Sequence, residues 1–314
     1  MAGMWFRAVT CFNLTEFPNV TSDALAEMLD EQKFVPCGEL DREMHGFGPA
    51  FGQDSLVRKV KDVFWIQVFS EVKPVPGALV KRRLAERITK IEEEEVRTVG
   101  RKEKKELKEM VIDELLAKAE AVQSSLTIMV DPTAKLLVVG TTSKKKTETA
   151  LTLLLRCVDK FSFARMEFSK TIAGQMSELL LDEATSEFVT DSSLVLKGPG
   201  TPAASVRFTQ HSLAGPEVLT HLNAGLRPVA LELSWRERLS FVLSDEFDIK
   251  KLSFLELVTS DFDSAKPEDP DELIDAMLMI QTGELREMVF ALTDWLGGAP
   301  EKAMNSESAL KEAA

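Results

Sequence analysis

Apolar positions along this chain change period several times, and each change marks an element. Residues 4–14 and 63–72 are dense in Phe, Trp and β-branched side chains, the composition of strands. Between them Thr21-Ser22-Asp23 caps a helix that sets Leu25, Met28 and Leu29 on one side. Pro36-Cys37-Gly38 closes that unit, and Gly46, Gly48, Pro49 and Gly52 predict a loop. Pro74, Pro76 and Gly77 punctuate the next boundary. From Ala78 the spacing lengthens. Val80, Leu84, Ile88 and Ile91 form one apolar stripe on a charged helix, and after a break at Gly100 a second stripe runs through Leu107, Val111, Leu115 and Ala119. Two such helices joined by a short turn predict an antiparallel hairpin that projects as its own lobe.

Residues 126–130 and 136–139 flank Asp131-Pro132-Thr133, a strand hairpin. Ser143 caps a helix carrying Ala150, Leu151, Leu154, Leu155 and Val158 on its inner side. After Phe168 the pattern loosens. Gly198-Pro199-Gly200-Thr201-Pro202 reads as a loop, and residues 228–233 and 239–243 read as strands around Trp235-Arg236-Glu237-Arg238. A further short element covers 252–258, and 269–295 reads as a helix broken at Gly283. No fixed-period repeat is present. Strands in clumps and helices in clumps predict an α+β fold with antiparallel sheets. The expected organisation is a sheet-containing central region (1–76 with 121–170), the basic helical hairpin (77–120), a C-terminal α+β region (171–298) and a frayed tail (299–314).

Charge changes this picture. The chain has 38 Lys and Arg against 51 Asp and Glu, a net −13 over 314 residues. The stretch from Lys73 to Lys108 holds twelve basic and seven acidic residues, a local +5, so the remainder carries −18. A body that repels phosphate but keeps one basic strip can hold nucleic acid only where that strip points. The alternative is a solvated helix face on which Lys and Glu pair at i,i+4 spacing. Lys144-Lys145-Lys146 opens another predicted helix, where the dipole disfavours cations, and that favours a functional reading. Tyr is absent and the basic stretch contains no aromatic residue, so platforms for base stacking are poorly supported. Charge without base-reading chemistry points to non-specific backbone contact.

Other chemistry is thin. Cys11, Cys37 and Cys157 are few, odd in number and far apart, which argues against disulfides or a zinc site and suits a cytoplasmic protein. No apolar run approaches a membrane span, and Met1 to Arg7 lacks the character of a signal peptide. Gly140-Thr141-Thr142-Ser143-Lys144 lies between a strand and a helix, yet it lacks the second Gly of a phosphate loop, and Lys145 stands where a magnesium-binding hydroxyl is needed. Gly46-Phe47-Gly48 has no third Gly for a dinucleotide. His45, His211 and His221 are isolated, so no metal or other cofactor is expected. The acids Asp261, Asp263, Asp269, Asp271 and Glu272 leave one enzymatic rival, a metal-dependent nuclease.

The order and spacing of several segments resemble the recombination-associated RdgC family of bacteria, over nearly the whole length. They are Met4-Trp5-Phe6, Phe34-Val35-Pro36-Cys37-Gly38, Lys102-Glu103-Lys104-Lys105-Glu106-Leu107-Lys108, Leu231 to Arg238, Lys250-Lys251-Leu252-Ser253-Phe254, Thr282-Gly283-Glu284-Leu285 and Leu296-Gly297-Gly298. The resemblance implies an elongated, multi-lobed horseshoe subunit that pairs into a ring-shaped homodimer around duplex DNA. It implies binding of double-stranded DNA with little sequence preference (single-stranded DNA remaining open as a second ligand), restraint of the RecA recombinase, a nucleoid location and no catalysis.

The expected phosphate contacts are Arg82, Arg83, Arg87, Lys90, Arg97, Arg101, Lys102, Lys104, Lys105, Lys108, Lys144, Lys145 and Lys146. Two departures fall at the dimer contacts the resemblance implies. The family's Arg-Ala-Phe at the helical tip is here Lys118-Ala119-Glu120, and Glu120 cannot fill an apolar pocket without a desolvation cost. A family Lys-Gln pair falls on Gln210-His211, where a hydrogen-bonded contact survives without the charge. The non-enzymatic rival is a protein-interaction module whose charged hairpin docks to a partner and never touches DNA.

Overall fold

A computed structural model describes residues 4–182, 186–200, 202–264 and 269–299. Asp261 and Asp263, two of the acids of the nuclease reading, have side chains outside the described set, as do most of the tail and Thr201 of the predicted 198–202 loop. The fold is α+β. Twelve strands form one sheet: β1 (Val9–Glu16), β2 (Glu43–Gly48), β3 (Val57–Val60), β4 (Val63–Val72), β5 (Val122–Asp131), β6 (Leu136–Val139), β7 (Ser162–Arg165), β8 (Phe188–Lys197), β9 (Ser205–Phe208), β10 (Arg227–Trp235), β11 (Leu239–Ser244) and β12 (Asp248–Phe254). The spatial order is β2-β4-β5-β6-β1-β12-β11-β10-β8-β9, with β3 also on β4 and β7 also on β1, and every strand pair is antiparallel.

Residues 63–66 of β4 and all of β6 are buried on both faces. β4 and β6 read as continuous apolar runs because alternate side chains feed two different cores. Val63, Trp65, Leu136 and Val138 join the core that includes α5 (Ile172–Leu181) and α8 (Pro270–Trp295). Phe64, Ile66, Leu137 and Val139 join the core under α1 (Ser22–Asp30) and α4 (Lys144–Cys157). β10 alternates instead: Leu231, Leu233 and Trp235 are buried, while the residues between them are half-exposed. That is the pattern of a sheet covered on one side. α6 (Pro216–Asn223) and α7 (Glu256–Ser264) complete the helices outside the hairpin.

The hairpin is an insertion between two neighbouring strands. β4 and β5 pair from Phe64↔Val130 to Val72↔Val122, and between those last partners the chain makes α2 (Gly77–Glu95) and α3 (Arg101–Leu116). These helices pack chiefly on each other. Their buried residues, Val80, Val99, Leu107, Val111 and Leu116, belong to neither large core. The hairpin therefore has a small apolar interior of its own at the end of the paired strands β4 and β5.

Several sequence expectations need correction. The glycines at 46 and 48 are not in a loop but in β2. A Cβ at Gly46 would lie 2.5 Å from Phe34 Cα, and one at Gly48 would lie 2.1 Å from the Phe69 ring, so close approach is what requires them. The first strand begins at Val9, and Trp5 instead packs against Phe254 at 4.6 Å. Gly283 does not break α8, since it lies exposed in a helix started by the Asp269 cap and Pro270 and is simply tolerated there. Residues 252–258 are the end of β12 and the start of α7. Ser143 occupies the cap position of α4 without a side-chain bond, and Leu155 points outward at 51% exposure while Leu153 is buried. Ala119 lies beyond the end of α3, and Leu116 takes its place in the interior. The predicted antiparallel sheets are a single sheet.

Candidate nucleic-acid interface

The ten candidate cations of the hairpin divide by what they touch. On α2, Arg82 and Arg83 reach Glu86 (3.8 and 3.4 Å), Lys90 reaches Glu94 (3.8 Å), and Arg87 Nη2 crosses to Glu114 of α3 at 2.9 Å. The other terminal nitrogen of Arg87 is out of water. Arg97, in the connecting turn, donates to Glu95 at 2.5 Å and to both oxygens of Glu103 at 2.6 Å. Those hydrogen bonds hold the Glu103 carboxyl below its usual range. Glu92 Oε1 accepts from Val99 N–H at 3.0 Å and fastens the other end of the turn. Arg87 and Arg97 are thus joints of the hairpin.

Arg101, Lys102, Lys104, Lys105 and Lys108 differ. All five are exposed, and none has an ion pair among the described residues. Arg101, Lys104, Lys105 and Lys108 follow i, i+3, i+4, i+7 spacing, so they form one stripe along the first two turns of α3. Leu107 and Val111 of the same helix turn inward. Cations at a helix N-terminus oppose its dipole at about 0.3–1 kcal/mol each, so the fold gains nothing from placing them there.

The lysine run on α4 also divides. Lys144 Nζ lies 2.7 Å from Glu246 in the β11–β12 turn, and Lys145 Nζ lies 2.9 Å from Glu43 of β2. Each partner carboxyl is held below its usual range by its lysine. Lys146 is exposed and has no ion pair among the described residues. Glu43 pairs with Val72, the residue from which the hairpin departs. Lys145 therefore stands near the hairpin root, whereas the α3 stripe begins at the turn at the far end of the hairpin.

The remaining candidates are placed as follows. Glu120 is exposed between α3 and β5. Gln210 and His211 are exposed beyond the edge strand β9. Gln210 has φ 53°, and the His211 backbone N–H donates to Ser192 carbonyl oxygen at 3.2 Å. Two acids of the nuclease reading, Asp269 and Asp271, have structural roles. Asp269 caps α8, and Asp271 and Asp275 bind the guanidinium of Arg58, which is only 2% exposed. Arg58 was not legible as special in the sequence, since Val57-Arg58-Lys59-Val60 carries neither a strand alternation nor a motif. Arg286, likewise unforeseen, binds the fully buried Asp131. Among the described residues no three His, Cys, Asp or Glu side chains gather as a metal would require. Burial and Asp248 push the Cys11 thiol up to about 12, and Cys37 and Cys157 are raised too, so none is a ready nucleophile. No helix among the described residues is long and apolar enough to cross a membrane.

Residues 4–299 match a family model described as "Putative exonuclease, RdgC". A protein named recombination-associated protein RdgC from Herminiimonas arsenicoxydans is 31% identical over 300 residues, covering 95% of this chain and 100% of that protein. One of the same name from Shewanella loihica is 31% identical over 298 residues, 94% of this chain and 98% of that protein. Another from Burkholderia orbicola is 28% identical over 307 residues, 98% and 100% of the two chains. With matches of this extent, the chain belongs to the RdgC family.

Proposed function

We propose that this chain binds duplex DNA without sequence preference, as a homodimer that closes around it, and thereby restrains recombination by a RecA-type recombinase. The observation that carries the reading is the stripe of exposed, unpaired cations on α3, on a hairpin set out at the end of a sheet ribbon within an acidic protein. Exposed ammonium and guanidinium groups without internal partners are free to displace counterions from phosphate, which is the source of sequence-independent affinity. Relatives named recombination-associated supply the biological setting.

In this reading the hairpin (77–120) is the tip of a horseshoe-shaped subunit, residues 1–76 with 121–170 are its centre, and 171–298 form the second contact through Gln210 and His211. Glu120 stands at the root of the hairpin, and where the resemblance puts it in the tip contact, that contact is polar rather than apolar. A ring on DNA acts by occupancy, obstructing recombinase filament growth or its access to a second duplex. The protein is non-catalytic in this account, which the engagement of Asp269 and Asp271 supports.

The test is retention on circular against linear duplex. A ring persists on closed circles and slides off free ends, while equal, rapid loss from both rejects encirclement. Binding across a salt series checks the charge term. With ~6–10 phosphate contacts, affinity should fall about 10³–10⁵-fold between 50 and 200 mM salt, and a flat response rejects phosphate contact. Strand cleavage on adding magnesium would reject the non-catalytic reading.

A further inference from the structure

A concavity with a mixed apolar and acidic lining lies away from the hairpin, where α4 faces β7 and the β11–β12 turn. Its volume is about 580 Å³, within the range of sites that hold small organic ligands. Leu151 and Phe247 are buried in its floor, and half-buried Phe163, Met166 and Ile172 form its walls. Leu155, the exposed leucine of α4, stands at its side. This apolar surface faces water in the free protein, so covering it is favourable.

Two further observations say what would cover it. Thr147 lines the cleft, is only 7% exposed, and its hydroxyl has no hydrogen-bond partner. A buried hydroxyl left unpaired is costly, and a ligand group in the cleft would satisfy it. The charges around the cleft are also unbalanced. Lys144 is occupied by Glu246 at 2.7 Å, and Arg165 and Lys250 act on that same carboxyl. Glu148, Asp245 and Asp248, which also line the cleft, have no ion pair among the described residues, and Asp248 only accepts from Thr10 Oγ1 at 3.0 Å.

We propose that this cleft binds a ligand with an apolar, ring-sized body and a cationic end, an aromatic amine in chemical class. The body covers the Leu151–Phe163–Phe247 surface, and the ammonium sits among Glu148, Asp245 and Asp248. This site is independent of DNA binding, since none of the phosphate-contact candidates except the already paired Lys144 lines it.

Tryptamine, tryptophol and indole-3-propionate present one ring with a cationic, neutral or anionic end. Each is titrated against the full chain carrying labelled Met, Ile and Leu methyls. Tryptamine should give saturable shifts at Leu151, Leu155, Met166 and Ile172 at millimolar concentration, and the carboxylate should bind at least about fivefold more weakly, as expected for partly exposed charge contacts. Thr152→Trp, at an exposed α4 position lining the cleft, should abolish the shifts and leave DNA affinity unchanged. Asp245→Asn, a milder surface change, should weaken tryptamine alone among the three probes. Absence of saturable shifts, equal binding of amine and carboxylate, or shifts that survive Thr152→Trp would each overturn the proposal. None of these outcomes bears on the hairpin's affinity for DNA.

Discussion

The two helices of the hairpin carry five cations each and put them to different use. On α2, four of Lys81, Arg82, Arg83, Arg87 and Lys90 lie beside a carboxylate. On α3, none of Arg101, Lys102, Lys104, Lys105 and Lys108 does. Both helices set charge against their dipoles, with cations early, and α2 ends on four consecutive glutamates, Glu92 to Glu95. The antiparallel arrangement brings the cationic half of α2 beside the acidic half of α3, as Arg87–Glu114 shows, and compensates part of that cost. Net charge therefore does not measure binding capacity. What counts is the number of cations with no carboxylate within reach.

The largest test of this contrast is reversal of each set. Arg101→Glu with Lys104→Glu, Lys105→Glu and Lys108→Glu should weaken duplex binding by about 10²–10³-fold at moderate salt and flatten the salt dependence by about one unit of log–log slope per lost contact. Arg82→Glu with Arg83→Glu and Lys90→Glu should cost about tenfold or less, because exposed pairs already offset part of those charges. Anisotropy with random-sequence duplex reads both. Equal losses would erase the distinction between the helices.

Second in size is the hairpin's separate interior. Leu107→Ala removes a side chain that is 9% exposed and packs in neither large core, and it should cost about 2–3 kcal/mol locally. Hydrogen exchange should quicken across α2 and α3 while β4, β6 and β10 keep their protection. Uniform loss would show the hairpin coupled to the sheet. Arg97→Ala should loosen the same helices without lowering the salt slope, because Arg97 is occupied by Glu95 and Glu103.

How far the sequence revealed this follows from range. The hairpin stripes, the 126–139 turn and the Thr21 cap were legible because their signals recur within four residues. The α3 basic stretch was legible as charge, but its separation from α2 was not. That depends on partners such as Arg87–Glu114 and Lys145–Glu43, 27 and 102 residues apart. β8 was missed because its burial does not alternate cleanly, and β9 because its four residues hold only two apolar side chains, unlike the all-apolar β6 of the same length. The β2 glycines misled because close packing against Phe34 and Phe69 leaves no trace beside the glycines themselves. The cleft under α4 has no motif at all, since its lining comes from four separate stretches of chain.

Acid provides a smaller test. Glu103, Glu43 and Glu246 all have folded-state values depressed below 4.5 by hydrogen bonds from Arg97, Lys145 and Lys144. A depressed carboxyl contributes stability that is full above its unfolded value and is lost as pH falls through the folded one. Hairpin exchange should therefore be flat from pH 7 to about 5 and quicken below about 4.5. Glu103→Gln should remove the Arg97 share of that acid response, and an unchanged profile in the variant would detach the turn from this pair.

The smallest expected effect concerns how the two helices end. α3 closes on Ala117 in ordinary right-handed geometry, whereas α2 closes on Val96 at φ 49°, ψ 42°, with the side chain 90% exposed. A β-branched residue in the left-handed region costs about 1–2 kcal/mol, and at a helix end glycine takes that conformation freely. Val96→Gly gives back part of this through the greater freedom of the unfolded chain, so a net gain of about 0.5–1 kcal/mol is expected. It should appear as slower exchange at the C-terminal turn of α2. Because Val96 makes no buried contact, DNA affinity should stay unchanged. If affinity falls instead, the strained turn sets the angle at which α3 presents its cations, and the stripe depends on α2 for its aim as well as its support.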